Sequence, residues 1–361
     1  MTAALAVTTG RVGFAIDPWG PGYAAALAIE ALTELDATTA ELNLDVEIPA
    51  DRWQPLTPDP TTTLPSALLV ADGVRRIDAR VWVDDPDGGM PAPGIAASYA
   101  VGLVRCELGN GNLAQLADVA VRRSLFSASP HAPDVSTPAG DYPARAATNS
   151  TPEMLSLALQ RQLTDLEVAV ATQYRVDVAG DELLLVDGPL RGRTHLPRAV
   201  GYVKTHHTAY LSGPHAAVVT ALQPGQRTPI FLMGTSWSRH AWYLRLPSRS
   251  TAPWAGVARC EASPDLPPEQ VNALADVTAL LLPPLAGVDY KDPRAPQNLI
   301  PIGGLEKLLR HRLGDARLLY RALRTAAIRP VRCESQPGGQ KFCALPERAN
   351  QGSARDSLAG C

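Results

Sequence analysis

The chain has 361 residues, of which 45% are hydrophobic and 19% charged, the balance of a globular protein able to bury a sizeable core. That length is long for one domain and short for three. A net charge of −3 supplies no global attraction to nucleic acid, so any such contact needs a local basic patch.

No apolar run approaches the roughly 20 residues that span a bilayer. Met1 to Thr9 lacks the basic start and cleavage pattern of a secretory signal. Five scattered cysteines (Cys106, Cys260, Cys333, Cys343 and Cys361) suit reduced thiols better than a disulfide framework or a zinc site. The expectation is a cytoplasmic protein with no membrane partner.

In chain order, Pro21 to Leu35 is rich in Ala, Leu and Glu and reads as a helix, with the proline at an early helical position. Residues 40–66 carry several prolines and an acidic stretch and read as an extended connector. Leu68-Leu69-Val70-Ala71-Asp72-Gly73 is an apolar strand ending in Asp-Gly. Strands follow near 76–84 and 95–107, parted by the turn Asp85-Pro86-Asp87-Gly88-Gly89, and another near 117–127. Residues 128–150, rich in Ser, Pro, Ala and Asp, read as a mobile loop. From Thr151 to Tyr174 the apolar positions Leu155, Leu159, Leu163, Leu166 and Val170 recur at helical spacing, with Thr151-Pro152 as cap and first turn.

Leu183-Leu184-Leu185-Val186-Asp187 is a second apolar strand ending in an aspartate, and Gly188-Pro189 turns the chain. Short strands follow at Val200 to Lys204, Pro229 to Met233, Trp242 to Leu246 and Gly256 to Glu261. Helices are expected from Pro268 to Leu282 and from Gly304 to Ala327, and a polar, disordered tail beyond Arg332. This order gives an α/β fold with a mixed sheet flanked by helices.

Two aspartates at strand exits lie where α/β folds place ligands. The same Asp-Gly pairs also serve as plain turn formers. A magnesium or manganese site takes hard oxygen ligands, and two ions about 3.5–4 Å apart clamp the attacking and leaving oxygens of a phosphodiester. Asp72 and Asp187 supply two carboxylates. Glu153 or Glu167, on the intervening helix, supplies a third if it points inward, and is a surface charge if it does not.

Taken together, these pieces resemble the NurA-type nucleases of DNA end resection. The matching residues are Asp72-Gly73-Val74-Arg75, Leu166-Glu167-Val168-Ala169, Leu185-Val186-Asp187-Gly188-Pro189-Leu190, Val200-Gly201-Tyr202-Val203-Lys204 and Asp292 to Ile302, over residues 66–325. The resemblance implies a ribonuclease H-like fold, cleavage of DNA dependent on Mn²⁺ or Mg²⁺, a homodimer, and a HerA-type hexameric translocase as partner. It implies three segments: an N-terminal helix and connector arm (1–65), a nuclease domain (66–330) and a tail (331–361). Asp72, Glu167 and Asp187 become the metal carboxylates. Where the family closes its site with a histidine, this chain has Glu306, with Asp292 as a second candidate; Asn298 stands where the family often has a tyrosine.

Among the basic residues, Arg75 and Arg76 are the first choice for holding nucleic acid backbone, and Lys204 is a further phosphate contact or an exposed lysine. At most one of His206 and His207 can face the site, since strand neighbours point oppositely. His311, beside Arg310 and Arg312 on the last helix, reads as part of a solvated basic face, while Lys307, Arg317, Arg321 and Arg324 suggest a phosphate-tracking stripe, although helical spacing does not put them all on one side. The Trp237, Trp242 and Tyr243 cluster reads as core or dimer packing rather than a base-stacking platform. Two other readings stand beside the nuclease: a non-catalytic scaffold that docks on a translocase or DNA, and a different metal-dependent hydrolase on the same fold.

Overall fold

A computed structural model describes residues 40–328, apart from 88, 110–113, 178–179, 207 and 251, together with the backbone of 333–335 and 341–343. The helix expected at Pro21 to Leu35 and most of the expected disordered tail lie outside the described residues.

The architecture is α/β, with one large mixed sheet between helices. β1 (Glu41–Asn43) precedes three long strands, β2 (Ala67–Val83), β3 (Ala92–Glu107) and β4 (Ala114–Ser127), which form an antiparallel meander. Three short strands follow: β5 (Val135–Thr137), β6 (Gly140–Tyr142) and β7 (Ala144–Ala146). Helix α1 (Pro152–Asp177) leads to β8 (Leu183–Asp187) and β9 (Ala199–Val203). After α2 (Gly213–Ala221) come β10 (Phe231–Gly234), β11 (Ser238–Arg245) and β12 (Val257–Ala262). Then follow α3 (Pro268–Leu281), α4 (Ile300–Arg312), α5 (Ala316–Ile328) and the paired strands β13 (Cys333–Ser335) and β14 (Lys341–Cys343).

The sheet order is β1-β10-β11-β12-β9-β8-β2-β3-β4-β7. β8 runs parallel to both β2 and β9, which makes its centre parallel. The all-apolar run Leu183 to Val186 suits that place, because a central parallel strand is buried on both faces. Leu183 and Leu185 pack with Leu68, Val70 and Tyr202 towards α3 and the start of α4. Leu184 and Val186 pack with Leu69 and Ala71 against Leu155, Leu159 and Leu163 of α1. Each fully buried leucine here contributes about 1.5–3 kcal/mol.

Several expectations need correction. The strands near 67–72 and 76–84 are one strand, so Asp72 is not at a strand end and Asp72-Gly73 makes no turn. β2 continues because Val74, paired with Ala100 of β3, is covered by Leu305, Leu309 and Leu313. Asp187-Gly188 does turn, with Gly188 at φ 106°, a conformation glycine adopts without strain. The loop expected at 128–150 contains β5, β6 and β7, and buries Tyr142. The single last helix is two, broken at Gly314 with φ 84°. Within the connector, β1 joins the sheet edge against β10.

Candidate active site

Strand alternation decides which carboxylates meet. Leu68, Val70 and Asp72 share one side of β2, and Leu183, Leu185 and Asp187 share the same side of β8. The parallel register pairs Val70 with Leu185 and Ala71 with Val186, so one step further sets Asp72 beside Asp187. Helix α4 covers this side and adds Glu306 from the turn after Leu305. Ligand oxygens of Asp72, Asp187 and Glu306 all lie within 4.8 Å of one another.

Asp72 is buried, with only 6% of its surface accessible to water. Its Oδ1 accepts the Gly73 amide at 2.7 Å, while its buried Oδ2 has no hydrogen-bond partner among the described residues. Burial, and then the charge on Asp187, push the Asp72 carboxyl well above the usual carboxylate range. Glu306 and Glu167 push the same way, and Lys204 opposes them.

The other carboxylates are paired. Lys204 Nζ donates to Asp187 Oδ2 at 2.6 Å and to Asn298 Oδ1 at 3.0 Å. Asn298 Nδ2 in turn donates to Asp292 Oδ2 at 2.6 Å. Arg294 lies between Asp292 and Glu306: its Nε is 3.3 Å from Asp292 Oδ1, its Nη1 donates to Glu306 Oε1 at 2.7 Å, and its Nη2 donates to Glu306 Oε2. Burial raises the Asp292 carboxyl, but hydrogen bonds from Asn298 and Arg294 outweigh it and hold the group below its usual value. A connected chain thus runs Asp187, Lys204, Asn298, Asp292, Arg294, Glu306.

Glu167 approaches from the other side of the sheet. Gly73 follows Asp72 and faces α1, and a Cβ there would stand 2.8 Å from Leu163 Cδ1 and closer still to Glu167 Oε1. The glycine therefore opens the sheet to Glu167. Arg193, in the turn after β8, pairs with the Glu167 carboxylate. Glu167 is near enough to act on Asp72 through its charge, but it is not in the three-carboxylate cluster. Glu153 is exposed at the start of α1.

Arg75 is half-buried on the α1 side of β2 by strand alternation. Arg76 is engaged within the fold. Its Nε donates to Asp78 at 2.9 Å and its Nη1 to the Gly314 carbonyl at 2.8 Å, which ties the end of α4 to β2. His206 is turned into an aromatic cluster with Tyr243 and Trp254, and its Nε2 lies 3.0 Å from the Val257 carbonyl. His207 lies outside the described residues. Trp242 and Tyr243 are core residues, as their packing reading expected.

The turn that carries Arg193 is itself braced from beneath. Glu261 of β12 is fully buried and accepts the Leu190 amide at 3.1 Å. Its other oxygen receives Arg239 and Arg259, each at 3.1 Å. Arg193, Arg294 and Glu261 were not singled out in the sequence. Only the placing of Arg294 inside the segment that begins at Asp292 hints at a role.

A second group of possible ligands combines Asp85 and Asp87, at the tip of the β2–β3 hairpin, with His131 from the connection between β4 and β5. It is partly exposed and lacks the buried unpartnered oxygen of the Asp72 cluster. No protein-family model matches this chain, and no curated protein sequence matches it either.

Proposed function

We propose that this protein is a divalent-metal-dependent nuclease of DNA, similar to the NurA type, on a ribonuclease H-like fold. The observation that carries this reading is the convergence of Asp72, Asp187 and Glu306, together with the unpartnered, buried Oδ2 of Asp72. An orphaned carboxylate oxygen costs free energy unless something occupies it. An all-oxygen donor set suits Mg²⁺ or Mn²⁺ rather than softer metals. The fold reading draws support from the central strand order β4-β3-β2-β8-β9, in which a meander of three is joined through α1 to a parallel pair.

In this reading Asp72 and Asp187 would hold the cation, which when bound would supply Lewis-acid chemistry to the phosphodiester and to water. Lys204 orients Asp187 through its ion pair, and Asn298 orients Lys204 in turn. Arg193 fixes Glu167 beneath Gly73, where its charge acts on Asp72. Arg75 is the cation proposed to hold the DNA backbone without reading its sequence, while Lys204 is committed to Asp187 and Asn298. A homodimer and a HerA-type hexameric translocase are the proposed partners. For the described residues, no helix is long and apolar enough to cross a membrane.

The test is degradation of single- and double-stranded DNA by the purified protein with Mn²⁺, alongside Asp187→Ala. Loss of at least a hundredfold in rate in the variant supports the nuclease. Absence of cleavage in the wild type, with or without a translocase, selects the scaffold reading. Cleavage that survives the substitution refutes the site.

A further inference from the structure

We propose that the site binds a single divalent cation, on Asp72 and Asp187, and that Arg294 takes the place of a second by pairing with Glu306. This inference rests on the metal reading above and concerns how many ions the site holds. It starts from the way Arg294 uses its guanidinium. Both terminal nitrogens donate to the two oxygens of Glu306, a forked pairing that satisfies the carboxylate from one direction. Nε and Nη2 also reach Asp292, so one side chain serves two carboxylates at once. Arg294 is held there on several sides: its own amide donates to Asp292 Oδ1 at 2.8 Å, and Asn298 fixes the other oxygen of Asp292. Its side chain is 12% exposed, and that of Glu306 11%. An arginine cannot shed its proton to make room for an ion.

Charge gives the same answer independently. Four carboxylates lie on this side of the sheet: Asp72, Asp187, Asp292 and Glu306. Two cations are paired with them, Lys204 and Arg294, while Glu167 and Arg193 form their own pair on the other side. The balance is two negative charges, which one divalent cation neutralises. A second ion would leave the pocket with two positive charges. Two-ion sites hold their metals about 3.5–4 Å apart and need shared carboxylates to do so. Of the three clustered carboxylates, Glu306 has both oxygens engaged by Arg294.

The experiment counts Mn²⁺ bound to the full chain, from the loss of the free-ion electron paramagnetic resonance signal, and looks for Mn–Mn coupling at saturation. One ion per wild-type chain with no coupling is expected. Arg294→Gln, which opens Glu306 and removes a positive charge, is expected to bind two coupled ions, and Arg294→Lys one. Two coupled ions in the wild type overturn the proposal but leave the metal reading standing. One ion in Arg294→Gln, shown folded by circular dichroism, also overturns the role given to Arg294. No ion bound to the wild type overturns both the proposal and the metal reading. If Arg294→Gln does not fold, the count in the wild type and in Arg294→Lys decides, with two ions in either refuting the proposal.

Discussion

Asp72→Asn exchanges a buried charge for a neutral group of the same shape, and its effect on stability should change sign with the metal. In the metal-free protein Asp72 is surrounded by Asp187, Glu306 and Glu167, with a single hydrogen bond to one oxygen and none to the other. Its folded pKa is raised above the ordinary 3.8, so folding favours the protonated form. The stability that this form contributes is complete below 3.8 and is lost as pH rises through the raised folded value. At neutral pH the ionised carboxylate is therefore a net cost. Asparagine keeps the acceptor for the Gly73 amide and offers donors to neighbouring carboxylates. An unsatisfied buried polar group costs about 1–3 kcal/mol, so the variant should gain about 2 kcal/mol. For a domain of this size that is roughly 3 °C in Tm.

The assay is thermal unfolding of wild type and Asp72→Asn in EDTA at neutral pH, repeated near pH 4 and then with saturating Mn²⁺. In EDTA the variant melts higher, and the gap narrows in acid, where wild-type Asp72 protonates. Mn²⁺ at a hundred times its Kd adds about 2.7 kcal/mol to the wild type. It adds little to the variant, so the order of melting reverses. A variant that melts below wild type in EDTA, or equal Mn²⁺ shifts in both proteins, would refute the reasoning.

Three further outcomes are expected. Gly73→Ala drives a methyl into Leu163 and Glu167 and should cost about 1–3 kcal/mol in urea unfolding; an unchanged midpoint would mean that α1 does not sit so close to β2. Glu261→Gln leaves the buried Arg239 and Arg259 guanidiniums facing a neutral amide. It should cost about 3–5 kcal/mol, read as a fall in the urea midpoint, and a loss below about 1 kcal/mol would count against the buried network. Asn298→Ala removes a hydrogen bond that holds the Asp292 carboxyl low. A depressed carboxylate contributes stability above its ordinary value that is lost as pH falls through the folded value. The deficit of Asn298→Ala should thus be full at pH 7 and shrink towards pH 3, and a deficit that is constant with pH would exclude this cause.

Local patterning made much of this protein legible. The apolar run Leu183 to Val186 with its Asp-Gly-Pro exit specifies a buried strand and its end, because a run that short has room for nothing else between turn formers. Leu155, Leu159 and Leu163 specify α1 and its buried side through their spacing. Asp72 and Asp187 stand out because a carboxylate beside an apolar run is costly to place. The sequence did not reveal that β2 runs through Asp72-Gly73, since an Asp-Gly pair carries the same local signal in a turn and in a strand covered by a distant helix. Sheet register brings together two aspartates that lie far apart along the chain. The side of the sheet that each helix covers then sets Glu306 beside them and Glu167 behind Gly73. Ion pairs such as Arg193 with Glu167 and Arg294 with Glu306 have no local periodicity to announce them, because they depend only on where the ends of separate elements meet in space.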